Sequence, residues 1–351
     1  MSVPEEQVGV QQLDPKLDVK PAAAGRRLHP LLDFVLRRLA IGLVTLVAAS
    51  AVIFWATNAL PGDVAQATLG RNANPKALAS MRHELHLEEP LLTRYVDWLG
   101  GAVHGELGNP ASTITQGVGP SVAELIGPAL RNTLWLALIT FALLVPLTVL
   151  LATISALRVG RPADYAISYS SLLLGSLPEF VLGTILILIF FTQLNLLPPL
   201  VLPTGNPLDD PEQLVLPVLT LLGVSLSFAV RQLRVGVIHA LNQEYVTMAR
   251  LGGIREYRVL WRYALRNSLA PAIQSFAQTA LYLFGGTVIV EALYSYPGIG
   301  RELVQAVGSR DISTVQGITL VLTSAYILIN IVADLAVVLV VPRLRTGGES
   351  R

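Results

Sequence analysis

Ionisable residues inside long apolar stretches are the first candidates for chemistry in this sequence. Glu179, Glu291 and Asp334 each lie in such a stretch. A carboxylate inside a membrane is costly and marks a functional site by default, so all three are candidates for a translocation path. Each also has a structural alternative. Glu179 directly follows Pro178 and could cap a helix that starts there, while Glu291 and Asp334 could hydrogen-bond within the protein.

No other group of residues indicates catalysis or metal binding. The chain has no cysteine, and it contains no G-x-x-x-x-G-K-[ST] motif for binding ATP phosphates. No pairing of a nucleophile with a base is visible either. We therefore expect no catalytic site, no metal and no cofactor. The histidines form no convincing metal cluster, and they are His29, His83, His86, His104 and His239.

The composition places these residues in a lipid bilayer. Hydrophobic residues make up 52% of the 351-residue chain and charged residues only 14%, whereas soluble domains have about 25% charged residues. The mean hydropathy is +0.58. The formal net charge of +1 gives no basic field for nucleic acid.

Six stretches are long and apolar enough to cross the hydrocarbon core, which takes about 20 residues. They predict an all-α polytopic membrane protein with six transmembrane helices, between tails at 1–30 (disordered) and 347–351. The long segment 61–131 contains two predicted amphipathic helices. One begins at Asn74-Pro75, and the other has Leu91, Tyr95, Trp98 and Leu99 on one side. The stretches are about 34–60, 132–156, 165–194, 214–233, 269–293 and 314–341.

The distribution of basic residues predicts the orientation. With the N-terminus inside, 18 of the 25 lysines and arginines lie in the tails and inner loops. Because cytoplasmic loops are enriched in these residues, both termini are expected in the cytoplasm and segment 61–131 outside.

The largest predicted inner loop, 234–268, is both basic and apolar. Its stretch "EYVTMARLGGIREYRVLWRYALRN" predicts two short helices bent at Gly252-Gly253. In the second helix, an apolar face is expected beside an arginine stripe. The loop could contact anionic lipid or dock on a cytosolic partner. The apolar face would hold Ile254, Tyr257, Trp261 and Ala264, and the stripe Arg255, Arg258, Arg262 and Arg266.

This loop resembles the EAA loop of permease subunits in bacterial ABC importers. Thr247, Met248 and Ala249 occupy the three EAA positions and Gly253 the glycine. "ALRNSL" is typical of the dipeptide/oligopeptide/nickel branch. Within residues 31–346, other stretches are similar to the same branch, and the long segment after span one is similar to the dipeptide-permease-B type. These stretches are "NALPGD", "LEEPLLTRYVDWLGGAVHGELG", "RNTLWLAL", "SLPEFVLG" and "VIVEALYSYPGIGRELVQAVGSRDISTVQG".

The resemblance implies a type I ABC importer (MetI-like) permease fold in the bacterial cytoplasmic membrane, with a long extracytoplasmic segment after helix one. It implies half of a peptide pathway, a second homologous permease, two ATP-binding ATPase subunits and an extracytoplasmic solute-binding protein. Thr247 replaces the family's glutamate, so a salt bridge from that position is not expected. The implied ATPase-coupling residues are Thr247, Met248, Ala249, Gly252, Gly253, Tyr257 and Trp261.

Alternatives remain open at the level of sequence. Relatives of this branch also move nickel, glutathione or other small solutes. A stand-alone secondary transporter and a membrane enzyme are further classes, although no similar halves and no catalytic constellation are visible in the sequence. Copurification with an ATPase is expected only for the ABC permease.

Overall fold

The computed structural model describes residues 30–59, 65, 74–84, 87–201 and 210–340, and these ranges hold helices and no strands. Short π-helical segments follow α7 (Leu188–Gln193) and precede α11 (Val259–Leu265). The predicted tails lie outside the described residues, apart from Pro30. The helices are α1 (Pro30–Asn58), α2 (Pro75–Glu84), α3 (Leu91–Val103), α4 (Ala111–Gln116), α5 (Val122–Leu157), α6 (Pro162–Ser176), α7 (Glu179–Ile187), α8 (Pro211–Leu241), α9 (Glu244–Leu251), α10 (Glu256–Arg258), α11 (Arg266–Tyr294), α12 (Ile299–Ser309) and α13 (Ile312–Val340).

Five of the described helices are long and apolar enough to cross a membrane: α1, α5, α8, α11 and α13. The pair α6 and α7 becomes a sixth candidate span if its two halves are counted together. The all-α membrane fold predicted from the sequence is therefore confirmed. The bounds and the sides of the spans stay predictions.

The predicted third span, 165–194, corresponds to two helices, α6 and α7, separated by a break at Leu177-Pro178. α6 and α7 meet at an angle of 105°. Pro178 lacks the N–H that would continue the helix and holds the preceding residue out of the helical conformation. Leu177 accordingly has φ −88° and ψ 131°. The bend places Glu179 in the first turn of α7, as the capping alternative for this residue anticipated.

Two other helices extend beyond the expected spans. α5 begins at Val122 rather than near Asn132, because Ser121 and Glu124 form a capping box at its start. Its 36 residues correspond to about 54 Å, so part of α5 must project beyond the hydrocarbon core. α8 continues to Leu241, so the first eight residues of the expected coupling loop, 234–241, prolong the fourth span helix.

α8 is the central helix of the described bundle. In its most apolar 18-residue window, 61% of the residues are buried, against 6% in α13. α5, α6, α7 and α11 all pack against α8. One half of this core includes Leu144, Leu221 and Leu283, and the other includes Val230 and Ala264. α8 therefore links the loop that follows it to most of the bundle.

α1 and α13 pack antiparallel at the periphery. Arg38 near the start of α1 forms an ion pair of 3.1 Å with Asp334 near the end of α13. At the opposite end, the Gln316 amide donates to the Thr57 hydroxyl at 2.7 Å. The first and last described residues thus lie at the same end of the bundle.

The segment between α1 and α5 packs on the other end of the bundle. The rings of Tyr95 and Trp98 in α3 lie 5.5 Å and 5.7 Å from the ring of Phe54 in α1. Arg94 donates to the Asn58 side chain at 3.0 Å. The amphipathic helix predicted here is present, and its aromatic side faces the chain's own first helix, while Leu91 stays exposed.

Candidate coupling site and translocation-path residues

The expected docking loop is a compact unit built from α9, the glycine turn and α10, which we call the knob (244–258). Val246 and Ala249 lie three residues apart on α9, so they share one face. Both are buried and pack on Val259. The structure places Ala249 inside the knob, and its role in ATPase coupling stays a prediction. Its small side chain lets α9 approach the following helix within the same chain.

The turn of the knob depends on Gly253. This residue has φ +74°, a left-handed conformation that is costly for residues with a β-carbon. Its N–H donates to the Arg250 carbonyl at 3.0 Å, and the Ile254 N–H donates to the Ala249 carbonyl at 3.1 Å. Gly252 has φ −75°, which other residues adopt readily. Arg250 and Glu256 form an exposed ion pair of 2.8 Å across the turn.

The outer surface of the knob carries exposed apolar side chains beside its charged ones. Met248 is 69% exposed and Leu251 is 78% exposed, and Thr247 is exposed between α9's buried positions. Tyr257 and, just beyond α10, Trp261 are also exposed. Sequence reasoning missed Leu251, although its position three residues after Met248 placed both on one side of a helix. Such an exposed apolar cluster is typical of a protein-binding surface.

The predicted apolar face of the second helix is wrong in register. Ala264 is buried, Ile254 is half-buried, and Tyr257 and Trp261 are exposed. The segment Val259–Leu265 is π-helical, so its turns contain more residues than the α-helical spacing assumes. The buried positions are Val259, Leu260, Ala264 and Leu265.

The predicted arginine stripe is exposed along its whole length. Arg258 donates to the Tyr257 hydroxyl at 2.8 Å and lies over the same ring, 5.6 Å from its centroid. The Tyr257 ring therefore lies at the surface of the knob, in contact with Arg258. The stripe consists of Arg255, Arg258, Arg262 and Arg266.

Glu291, a candidate for the translocation path, is instead enclosed by hydrogen-bond donors from Thr133 and Gly300, and we call this group the cradle. Glu291 is 0% exposed. Thr133 donates to its carboxylate at 2.6 Å, and the Gly300 N–H donates at 2.7 Å. These bonds tie the end of α11 to α5 and to the start of α12. The expectation of a path-facing role is contradicted by this burial, and the packing alternative describes the contacts.

Tyr296 belongs to the same cradle. Its hydroxyl donates to the Asn132 carbonyl at 2.8 Å, and the Asn132 amide donates to the Pro297 carbonyl at 2.8 Å. Burial, followed by the negative charge of Glu291, raises the pKa of Tyr296 above its ordinary value. The phenol therefore stays protonated and keeps donating its hydrogen bond.

Asp334 has a scaffold contact rather than an evident path-facing position. Its carboxylate is engaged by Arg38 of α1. Because a paired charge is much less costly in an apolar surrounding than a single one, this contact explains how α13 tolerates an aspartate. The contact favours the packing alternative for Asp334, and a role in the path stays a prediction.

Glu179 keeps an open candidate role. Its carboxylate accepts a hydrogen bond from the Tyr282 hydroxyl of α11. Glu179 is half-buried, and Tyr282 lines a cavity between α6, α8 and α11. Of the three acidic candidates, Glu179 is therefore the one next to open space.

An ion pair that sequence reasoning missed lies near the loop end of α8. Arg234 donates to both carboxylate oxygens of Asp164, each at 2.9 Å, and also to the Ser155 hydroxyl at 2.9 Å. This cluster joins α5, α6 and α8 just before the knob. Asp164 precedes the predicted third span by one residue, and no local pattern indicated which arginine would meet it. Elsewhere in the described ranges, no three histidine or acidic residues are grouped to hold a metal.

Comparison with known proteins assigns this architecture. Residues 145–346 match the family described as "Binding-protein-dependent transport system inner membrane component". Residues 31–123 match the N-terminal region of the same kind of component. The chain belongs to this family. The permease is thus a non-catalytic, multi-pass inner-membrane subunit of an ABC importer.

Relatives from three bacteria resemble the permease over nearly their whole length. A protein of Brucella ovis named as a peptide permease is 32% identical over 321 residues, covering 90% of this chain and 99% of its own. A probable peptide ABC transporter permease of Sinorhizobium fredii is 32% identical, with coverages of 89% and 99%. The metal-staphylopine import system permease of Staphylococcus aureus is 30% identical, with coverages of 91% and 100%.

Proposed function

We propose that the permease forms half of the translocation pathway of a peptide importer and is driven through the knob by a separate ATPase subunit. The observation that carries this proposal is the set of exposed apolar side chains on the knob, which is held in shape by the packing of Val246 and Ala249 on Val259. A loop that only touched anionic lipid would need the arginines but not a packed helix with exposed apolar side chains.

The position of the knob supports a coupling role. α9 follows α8 after a short turn, and α8 packs against four other helices of the bundle. A displacement of the knob would therefore be passed to the bundle as a movement of one rigid helix. Packed interfaces of this kind switch between discrete arrangements, which suits alternating access.

The proposed complex has a second homologous permease, two ATP-binding subunits and an extracytoplasmic solute-binding protein. Both termini of the permease would lie in the cytoplasm, on the side of the knob. Two of the relatives are named for peptides and one for metal-staphylopine, so peptides are the proposed solute and a metal complex is the second candidate. Glu179 is proposed to attract the amino terminus of a peptide.

The docking surface is tested by substituting Met248 and Leu251 with aspartate, singly and together. We expect the double variant to insert and to accumulate normally, because both side chains are exposed and brace nothing. It should lose most of its copurifying ATPase subunit, since a buried unpaired carboxylate disfavours binding strongly.

Val159→Asp is the matched control, because Val159 is an exposed apolar residue at the same end of the bundle, between α5 and α6. This control should retain the ATPase subunit. Normal ATPase retention and solute-stimulated hydrolysis in the double variant would rule out the knob as the docking surface and leave it as a lipid contact.

A further inference from the structure

A cavity of about 300 Å³ opens between α6, α8 and α11, beside Glu179. This volume is at the lower end of the range of about 300–1,000 Å³ for small-molecule sites. Six of its nine lining residues have polar side chains. The polar side chains are Ser225, Ser227, Arg231, Gln278, Thr279 and Tyr282.

Arg231 points into this cavity and away from the near end of the membrane span. Its Nε donates to the Ser227 carbonyl at 3.0 Å, one turn earlier in α8. An arginine near the end of a span normally extends its side chain toward the membrane surface. Here the guanidinium instead folds back toward the middle of the span and lies against Gly175 of α6.

The charge of Arg231 has no acidic partner among the described residues. Arg234, one turn further along α8, is held by Asp164, whereas within the described part of the chain Arg231 donates only to a neutral carbonyl. The Ser225 hydroxyl, also in the lining and 1% exposed, has no hydrogen-bond partner among the described residues. An unsatisfied buried hydroxyl is costly and indicates a site for a polar ligand. Arg231 is itself exposed, so its guanidinium is open to such a ligand.

We propose that this cavity is a transport subsite for a solute that carries a carboxylate, with Arg231 as the residue that binds it. The proposal rests on the importer function above and adds a substrate class to it. The guanidinium can form two parallel hydrogen bonds with a carboxylate, and the Ser225 and Gln278 side chains supply further donors. Glu179, held by Tyr282 beside the same cavity, gives its surroundings the opposite charge, which suits a zwitterionic peptide.

Transport discrimination is the first test. The complete importer with its binding protein is placed in proteoliposomes, and uptake of dialanine is compared with uptake of dialaninamide. We expect Arg231→Gln to lower dialanine uptake by roughly tenfold, which corresponds to about 1.4 kcal/mol, because the charge-assisted hydrogen bonds to the carboxylate are lost. Amide uptake should change by less than about twofold, and Arg231→Lys should restore most of the acid uptake. Because the binding protein is the same in every preparation, the change in the acid-to-amide ratio reports on the permease alone.

Arg158→Gln is the matched control, since Arg158 is an exposed arginine at the same end of the bundle and outside the cavity lining. It should leave the ratio unchanged. Equal losses for acid and amide in Arg231→Gln would overturn the proposal. So would a loss of complex yield, which would indicate a partner subunit's carboxylate, or a loss that follows the anionic lipid content, which would indicate a lipid phosphate.

A second readout does not depend on transport. The chain has no cysteine, so Phe228→Cys introduces a single thiol at an exposed apolar position of the cavity lining. In the purified complex, dialanine should slow alkylation of this thiol and dialaninamide should not, and added Arg231→Gln should abolish the protection. Absence of protection by dialanine refutes the subsite. Protection without any peptide uptake by the wild-type importer refutes the proposed peptide function and leaves the subsite standing.

Discussion

Glu291 shows how a residue with an apparent functional signature can serve the scaffold. A buried carboxylate needs donors on both oxygens, and Thr133 and the Gly300 N–H supply them. The Ile299 N–H in turn donates to the Thr133 hydroxyl at 2.9 Å. The cradle therefore fixes the start of α12 against α5. Local sequence could not reveal these donors, because Thr133 lies 158 positions from Glu291.

Gly300→Ala, a substitution within this cradle, should destabilise the permease. A β-carbon at position 300 would collide with the Val288 backbone and would lie 2.9 Å from the Glu291 carboxylate. Overpacking of this kind costs about 1–3 kcal/mol, so the detergent-solubilised protein should melt at a lower temperature. Gly308→Ala in the same helix is the control, since no atom lies within 4 Å of its β-carbon position. A Gly300→Ala melting temperature equal to that of Gly308→Ala would show that the cradle yields without cost.

The elements of the knob were predictable in number and position but not in register. The adjacent glycines at 252 and 253, followed by apolar residues at helical spacing from Ile254, indicated two short helices and a turn. The buried face of the second helix was not predictable, because a π-helical segment changes the spacing on which the face was inferred. Likewise Pro178 indicated a break in the third span, whereas the angle of 105° is set by packing on α8 and α11.

Within the knob, Gly253 provides a test of the turn itself. Gly253→Val should strain the left-handed conformation by about 1–2 kcal/mol or more and loosen α9 from the following helix. Since no atom lies within 4 Å of the β-carbon position, the effect would come from the backbone and not from a clash. Gly253→Asn should be much milder because asparagine tolerates this conformation. Coupling is measured as the ratio of solute uptake to ATP hydrolysis in proteoliposomes, and equal coupling in both variants would contradict a role for the turn.

At the scale of the whole molecule, the polar and basic contacts separate to the two ends of the bundle. The Arg38–Asp334 and Arg234–Asp164 pairs and the knob belong to one end. The Thr57–Gln316 contact, the Glu291 cradle and α3 belong to the other. The bias of lysine and arginine toward the first end predicts that this end lies in the cytoplasm. Segment 61–131 would then lie outside, where a solute-binding protein delivers its cargo.

This orientation is tested across a single helix. Asn109 precedes α5 and Val159 follows it, and both side chains are exposed. If α5 crosses the membrane, the two positions must lie on opposite sides. We expect Asn109→Cys, in this cysteine-free chain, to react with a membrane-impermeant maleimide in intact spheroplasts, and Val159→Cys to react only after permeabilisation. The reverse pattern would invert the topology and remove the knob from the reach of a cytosolic ATPase. Reaction of both positions from outside would show that α5 does not span the membrane.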